Sequence, residues 1–345
     1  MRWRRGLQVM TRRRGEVQIG TDPRWAVRVS GLDRAEAHML ATLTDLEEVP
    51  FEGLALRHGV EEVRARELFR LLEEARVLAP APVHRRGTDR TPVPARLGDD
   101  LQVHSLLARD ADGAALLGAR ARRTVGIEGL GRTGAVVAST LAAAGVGALV
   151  LDDPRAVGVQ EPGVGGITER DVDQPRETVV ARVVTDVAPG ITTRTGTWAD
   201  GAPDVVVLVD SYATDPERAR TRLESGMAVL PVVVREADAV VGPFVVPRGA
   251  PCLRCVGLHH ADADPDWPVL VAQLCSRGRR SPAPQVSVLA HLVGAFAASQ
   301  VLAVLDGEVP ATAGASYEFS LPQPIGRRRE WSEHPGCECA DHVPA

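Results

Sequence analysis

Residues 124–153, TVGIEGLGRTGAVVASTLAAAGVGALVLDD, constrain the fold of this chain more than any other stretch. Val125 and Ile127 alternate as a short buried strand does. Gly129, Gly131 and Gly134 then form G-x-G-x-x-G, followed by an apolar run over residues 135–144 and a stop at Gly145 and Gly147. Residues 149–151 supply a second strand, closed by Asp152 and Asp153. A βαβ unit of this kind has a use for each glycine: the tight turn, the close approach of a pyrophosphate, and the packing of helix on strand. The helix start points free N–H groups and its positive dipole end at the phosphates, and the closing acid takes a ribose hydroxyl. The same fold with its ligand lost shows the same pattern. Nucleotide binding at Gly129, Gly131, Arg132, Gly134 and Asp153 is therefore an expectation that the rest of the chain must support.

Upstream, residues 16–20 and 25–29 alternate like two short strands around a Thr21-Asp22-Pro23 turn. Asp33 is placed to cap a helix carrying Ala37, Leu40 and Leu43. A short helix follows at 51–57, and a third runs from residue 60 with Val63, Leu68, Leu71 and Leu72 on one face. Residues 1–80 thus read as a small winged-helix-like α+β module, or as a packing extension of the main domain. Its third helix carries Glu61, Glu62, Glu67, Glu73 and Glu74, which would repel phosphate. A peptide is the better ligand for it than DNA. Residues 81–98, with Pro82, Pro92 and Pro94 among arginines, form a semi-rigid linker.

The third segment, 99–345, opens with an amphipathic helix over 99–119 leading into the central unit. After Asp153, the glycine-rich residues 156–168 are too many for a plain connector. A helix after Pro175, a strand at 204–210, a helix at 216–224 and a strand at 229–234 continue the alternation. DVVVLVD is almost continuously apolar, the mark of a strand covered on both faces. The expected fold is α/β, a Rossmann-like, mostly parallel sheet with helices on both faces.

The net charge of −5 argues against general nucleic-acid binding, and every one of the 40 basic side chains is arginine. Arg2, Arg4, Arg5, Arg12, Arg13 and Arg14 crowd the start without an acid, as a solvated tail or a partner contact. No apolar h-region follows them, so no secretory signal is expected. Residues 281–305 are interrupted by Gln285, Ser287, His291, Ser299 and Gln300, which suits a buried helix better than a membrane span.

Five cysteines without a signal point to a reducing, cytoplasmic setting. Cys252 and Cys255 form C-x-x-C; Cys337 and Cys339 form C-x-C. Four thiolates at tetrahedral geometry would close a structural zinc site. His259, His260, His334 and His342 are alternative ligands, and reduced spectator thiols are the alternative to a metal. Cys275 is left over, most simply a small buried apolar residue.

The glycine stretch, the valine-rich strand ending in Asp210 and PCLRC before a late knuckle together resemble the ThiF/MoeB-like superfamily, over roughly residues 99–345. These relatives of ubiquitin-activating enzymes adenylate a protein or peptide C-terminus with ATP and magnesium. The runs VVGPFVVPRGAPCLRCVGLHHADADPDWP and HPGCECA look most like actinobacterial ThiF-related proteins of thiazole/oxazole-modified peptide biosynthesis. There, an N-terminal winged-helix module is associated with precursor leader peptides. The resemblance implies a ribose-binding acid at Asp153 or its neighbour, a magnesium-facing Asp210, and a homodimer. It also implies an Asn, an Arg and a Lys at the adenylation site. This chain has neither asparagine nor lysine, has no arginine over 156–169, and carries Arg176 in the lysine's place. A guanidinium is no close substitute for a point-charge ammonium. The expected role is to bind a peptide or protein substrate and present it to a partner modifying enzyme. The alternative is an active adenylyltransferase with Arg176 and Asp210 as its catalytic groups. A nicotinamide-dependent oxidoreductase is a third reading, opposed by the knuckle and by the lack of an evident acid–base pair.

Overall fold

The computed structural model describes residues 2–4, 6–13, 15–23, 25–45, 51–79, 92–108, 112–196, 201–249 and 251–339. Arg5, Arg14, His342 and most of the expected 81–98 linker lie outside these. The chain forms two compact units, Met1–Gly118 and Ala119–Ala345.

In the first unit, strands Val9–Thr11, Glu16–Ile19 and Val27–Ser30 form an antiparallel sheet in that order. Helices Arg34–Ala41, Phe51–His58 and Glu62–Glu74 accompany it. Asp33 and Glu36 close a reciprocal capping box at the first of these helices. On Glu62–Glu74 the buried stripe is Ala65, Leu68, Phe69 and Leu72, whereas Val63 and Leu71 are exposed. The expected face is thus corrected by a rotation, since four positions at i, i+3, i+4 and i+7 share one side of a helix. Arg4 is no tail residue. It is buried, and its Nη1 donates to the carbonyls of Leu106 and Ala108 at 2.9 and 2.8 Å, closing the end of helix Gly98–Leu107. The expected single helix over 99–119 is two, Gly98–Leu107 and Gly113–Arg120. The first is tied by Arg4 to the N-terminal unit.

The second unit is built on an eight-stranded sheet. Thr192–Thr195, Ala148–Asp152, Thr124–Glu128, Val205–Ser211 and Ala228–Val234 lie side by side and parallel. Asp238–Val241, Ala315–Ser320 and Arg327–Glu330 continue it antiparallel. Chain order therefore reverses between Thr124–Glu128 and Val205–Ser211, the switch point at which open α/β sheets bind ligands. Val205 and Val207 face one core with helices Arg132–Ala143, Arg176–Val187 and Ser287–Leu305; Val206 and Leu208 face another with Ala219, Leu223 and Leu253. That two-sided burial explains the unbroken valines. Ser287–Leu305 is long and apolar enough to cross a membrane by length and composition, but it packs along Arg132–Ala143 and half of it is buried. Gly129 holds φ +93°, and a Cβ at Gly134 would overlap the Gly129 carbonyl, so both glycines serve the turn of strand into helix.

Candidate nucleotide and metal sites

Helix Arg132–Ala143 starts at the switch point with Gly131 as its cap residue, which has no side chain to satisfy the first N–H groups. Other parts of the chain meet two N–H groups at this start, one just before the cap and one in the first turn. Asp153, at the end of the neighbouring strand, accepts from Leu130 N–H at 2.8 Å; Gln285 Oε1 accepts from Thr133 N–H at 2.9 Å. Asp153 is buried and is held by Arg155 Nε at 2.7 Å and by Arg176 Nη1 at 2.8 Å. Burial alone would raise its carboxyl, but the Arg155 hydrogen bond, the Arg176 charge and the Leu130 N–H together hold it below the usual range. Arg176 opens helix Arg176–Val187, where the dipole disfavours a cation. Its guanidinium is offset there by Asp153 and Glu161.

The structure thus brings Gly131, Gly134, Arg132, Asp153 and Arg176 to one region, with their polar groups turned to partners within the protein. Arg132 does not point its guanidinium along an open phosphate path. It donates to the carbonyls of Gln285 at 2.9 Å, Pro162 at 3.2 Å and Glu161 at 3.3 Å. In front of Gly131, a Cβ would meet Gln285 Nε2 at 3.3 Å and Glu161 Oε1 at 3.5 Å. The space reserved for a pyrophosphate is lined by protein.

Across the switch point, Asp210 lies one residue before the end of strand Val205–Ser211, and both its oxygens are engaged by Arg218. Arg218 also approaches Glu128 at 3.5 Å, and Arg222 donates to Glu128 at 2.7 Å. Burial pushes the Asp210 and Glu128 carboxyls up while the arginines pull them down, and burial dominates. Sequence reasoning missed Arg155, Glu161, Gln285, Glu128, Arg218 and Arg222. Arg155 and Arg218 were within reach, each following an acid that ends a strand. Gln285 lies far from Thr133 along the chain and carried no signal.

The four cysteines converge. Cys252 caps helix Leu253–Ala263 and Cys255 sits in its first turn. The Cys252–Cys255, Cys252–Cys337 and Cys255–Cys339 sulfur separations are 3.9, 3.6 and 3.3 Å, and all four sulfurs lie within 4.8 Å of one another. A tetrahedron of about 2.3 Å metal–sulfur bonds has edges of about 3.8 Å, so the set fits one ion. These distances are far from the ~2.05 Å of a disulfide. His259, Asp262 and His334 also cluster. There, however, His334 Nδ1 accepts from Gly336 N–H at 3.0 Å, which leaves the proton on Nε2, 2.9 Å from Asp262. That arrangement braces the turn leading to Cys337. Cys275 is buried and its thiol sits 3.7 Å from the Ala213 carbonyl.

A doubly wound sheet with a glycine loop at its switch point and a four-cysteine knuckle defines an α/β protein of the nucleotide-binding class. Within it, the chain belongs to the ThiF family, whose model matches residues 113–339. Among solved structures, Escherichia coli MccB with AMPCPP and MccA superposes at TM-score 0.69 with 14% identity, over 97% of this chain and 98% of that one. E. coli MccB with ATP gives 0.67 and 14%, over 98% of both. The crystal structure of PaaA gives 0.70 and 16%, over 95% of this chain and 99% of that one. At such identities the likeness is one of fold. No curated protein matches the chain by sequence.

Proposed function

We propose that this chain binds a peptide or small-protein substrate and presents it to a partner modifying enzyme, with its own adenylation chemistry weakened or lost. The observation that carries this reading is the self-satisfied switch point. Two N–H groups at the helix start, those of Leu130 and Thr133, meet Asp153 and Gln285, and the carboxylate that would hold magnesium meets Arg218. Catalysis of acyl adenylation requires free donors and a metal at the developing charge. Here those groups have protein partners.

The N-terminal unit is read as the winged-helix-like peptide binder. Its edge strand Val27–Ser30 can accept an extended segment through main-chain hydrogen bonds. MccB, of the same fold, was solved with the peptide MccA. The four cysteines are read as a structural zinc site, and the chain as a cytoplasmic homodimer.

A second reading is an active ATP-dependent adenylyltransferase, favoured by Asp153, paired with Arg176, and Asp210 lying at the C-terminal ends of the parallel strands that flank Thr124–Glu128. ATP–pyrophosphate exchange separates the two. The proposal expects background rates with any peptide that binds the chain. Robust exchange abolished by Asp210→Ala would install the enzyme instead.

A further inference from the structure

On the far side of Asp210 from the glycine loop, the turn after its strand borders a cavity of about 160 Å³. The chain has five tryptophans and two tyrosines, and Trp267, Trp331 and Tyr212 all line this space. The tryptophans here are not core filling, because the main core of this unit is built from aliphatic residues and phenylalanine. His260 sits between the two indoles, with ring centroids 4.5 Å from Trp267 and 5.2 Å from Trp331. Burial, then Arg329 and Arg235, lower the His260 pKa, so at neutral pH it presents an uncharged ring. Arg329 covers the Trp331 ring at 4.2 Å from its centroid.

Two further observations mark the cavity as a place for a ligand. Tyr212 holds φ +70°, a left-handed conformation that a bulky side chain adopts only where its surroundings demand it. Thr214, on the same wall, buries its hydroxyl oxygen close to Asp210 without a hydrogen bond of ordinary geometry among the described residues. A buried polar atom in that state is stabilised by any partner that a ligand brings.

We propose that this cavity receives an aromatic side chain of the bound peptide. The inference rests on the peptide-binding reading above. A space of about 150 Å³ is enough to take a benzene ring, so the volume suits one ring. Aromatic walls favour a ring over an aliphatic chain through edge-to-face contacts. Arg329 and Glu318, which also line the space, offer polar partners to the main chain that carries the ring.

Gly257 supplies the test. It lines the cavity from helix Leu253–Ala263, and a Cβ placed there meets nothing within 4 Å. A Cβ is therefore tolerated, Gly257→Leu is chosen to crowd the space from this wall, and removing a helical glycine favours the fold. The probe is p-cresol, titrated into the full-length protein while the indole N–H resonances are followed by NMR. Wild type is expected to bind saturably, at about millimolar affinity, with two indole signals shifting. Gly257→Leu should weaken binding by at least about tenfold with an unchanged or higher Tm. No saturable binding by wild type, or equal binding by Gly257→Leu, overturns the pocket. Cyclohexanol binding as well as p-cresol overturns its aromatic preference. Peptides that bind the full chain but do not compete with p-cresol overturn the assigned occupant and leave the peptide-binding reading standing. If no peptide binds at all while p-cresol does, that reading falls and the occupant with it.

Discussion

The knuckle and the glycine loop both gather ligand-binding groups, and they differ in whether those groups satisfy one another. At the loop, three acceptors have found donors: Asp153 has Leu130 N–H, Arg155 and Arg176, Gln285 has Thr133 N–H, and Asp210 has Arg218. At the knuckle, four sulfurs face mainly each other at 3.3 to 3.9 Å. A site that completes itself folds without a ligand and binds one only by breaking its own contacts. A site made of donors of one kind needs the ion. On the proposed reading, the chain carries one place that a metal would complete and another whose groups already have protein partners.

The sharpest break of this contrast is Cys255→Ser, at a fully buried ligand position. Metal content should fall from about one ion per chain to none, since structural sites hold one ion in four ligands. Losing several kcal/mol at about 2–4 °C per kcal/mol should lower Tm by about 10 °C. Metal-free wild type melting at the temperature of the loaded protein would remove the contrast.

Arg218→Ala comes next. It leaves Asp210 and Glu128 buried without their shared cation, which costs up to about 3 kcal/mol, read as a lower denaturation midpoint. It also frees Asp210, so added magnesium should raise the Tm of the variant and leave wild type unmoved. Identical magnesium responses would show that Arg218 does not occupy the metal's place.

Gln285→Ala sharpens the loop side. Loss of the cap on Thr133 N–H should cost about 1 kcal/mol, while clearing the front of Gly131 should strengthen ATP binding by calorimetry. An affinity equal to that of wild type would mean that Gln285 is not what closes the loop.

The smallest effect is the pH dependence of Asp153. Its native pKa lies below that of an unfolded aspartate, about 3.9. The stability it contributes is therefore fully present above that value and is lost as pH falls through the lower native one. Asp153→Asn should flatten the decline of the denaturation midpoint between about pH 5 and pH 2. An unchanged slope would assign that decline to other carboxylates.

Much of the central fold was legible because it depends on local pattern. G-x-G-x-x-G between Ile127 and an apolar helix, and the double-sided valines of 205–209, state strand, turn, helix and strand without reference to anything distant. The cysteine spacing was legible for a related reason, since thiol pairs of that kind have few other uses. The antiparallel extension by Asp238–Val241, Ala315–Ser320 and Arg327–Glu330 was not, because the last of these is an exposed edge strand of arginines and a glutamate with no alternation to read. Nor could local pattern reveal that Val63 and Leu71 turn outward, since helix rotation is set by what the helix packs against.

Residue by residue, the sequence determined which groups are available around the glycine loop: an acid at 153, a cation at 176, an acid at 210, and neither lysine nor asparagine to serve with them. Only the tertiary structure decided what those groups touch. Gln285 reaches Thr133 across 152 residues of chain, and Arg218 reaches Asp210 because the next helix packs back beside the strand that ends there. Hydrogen bonds and ion pairs act over a few ångströms in space, whereas sequence reports separation along the chain. Whether a charge waits for a ligand or already has a partner is settled only when the chain has folded.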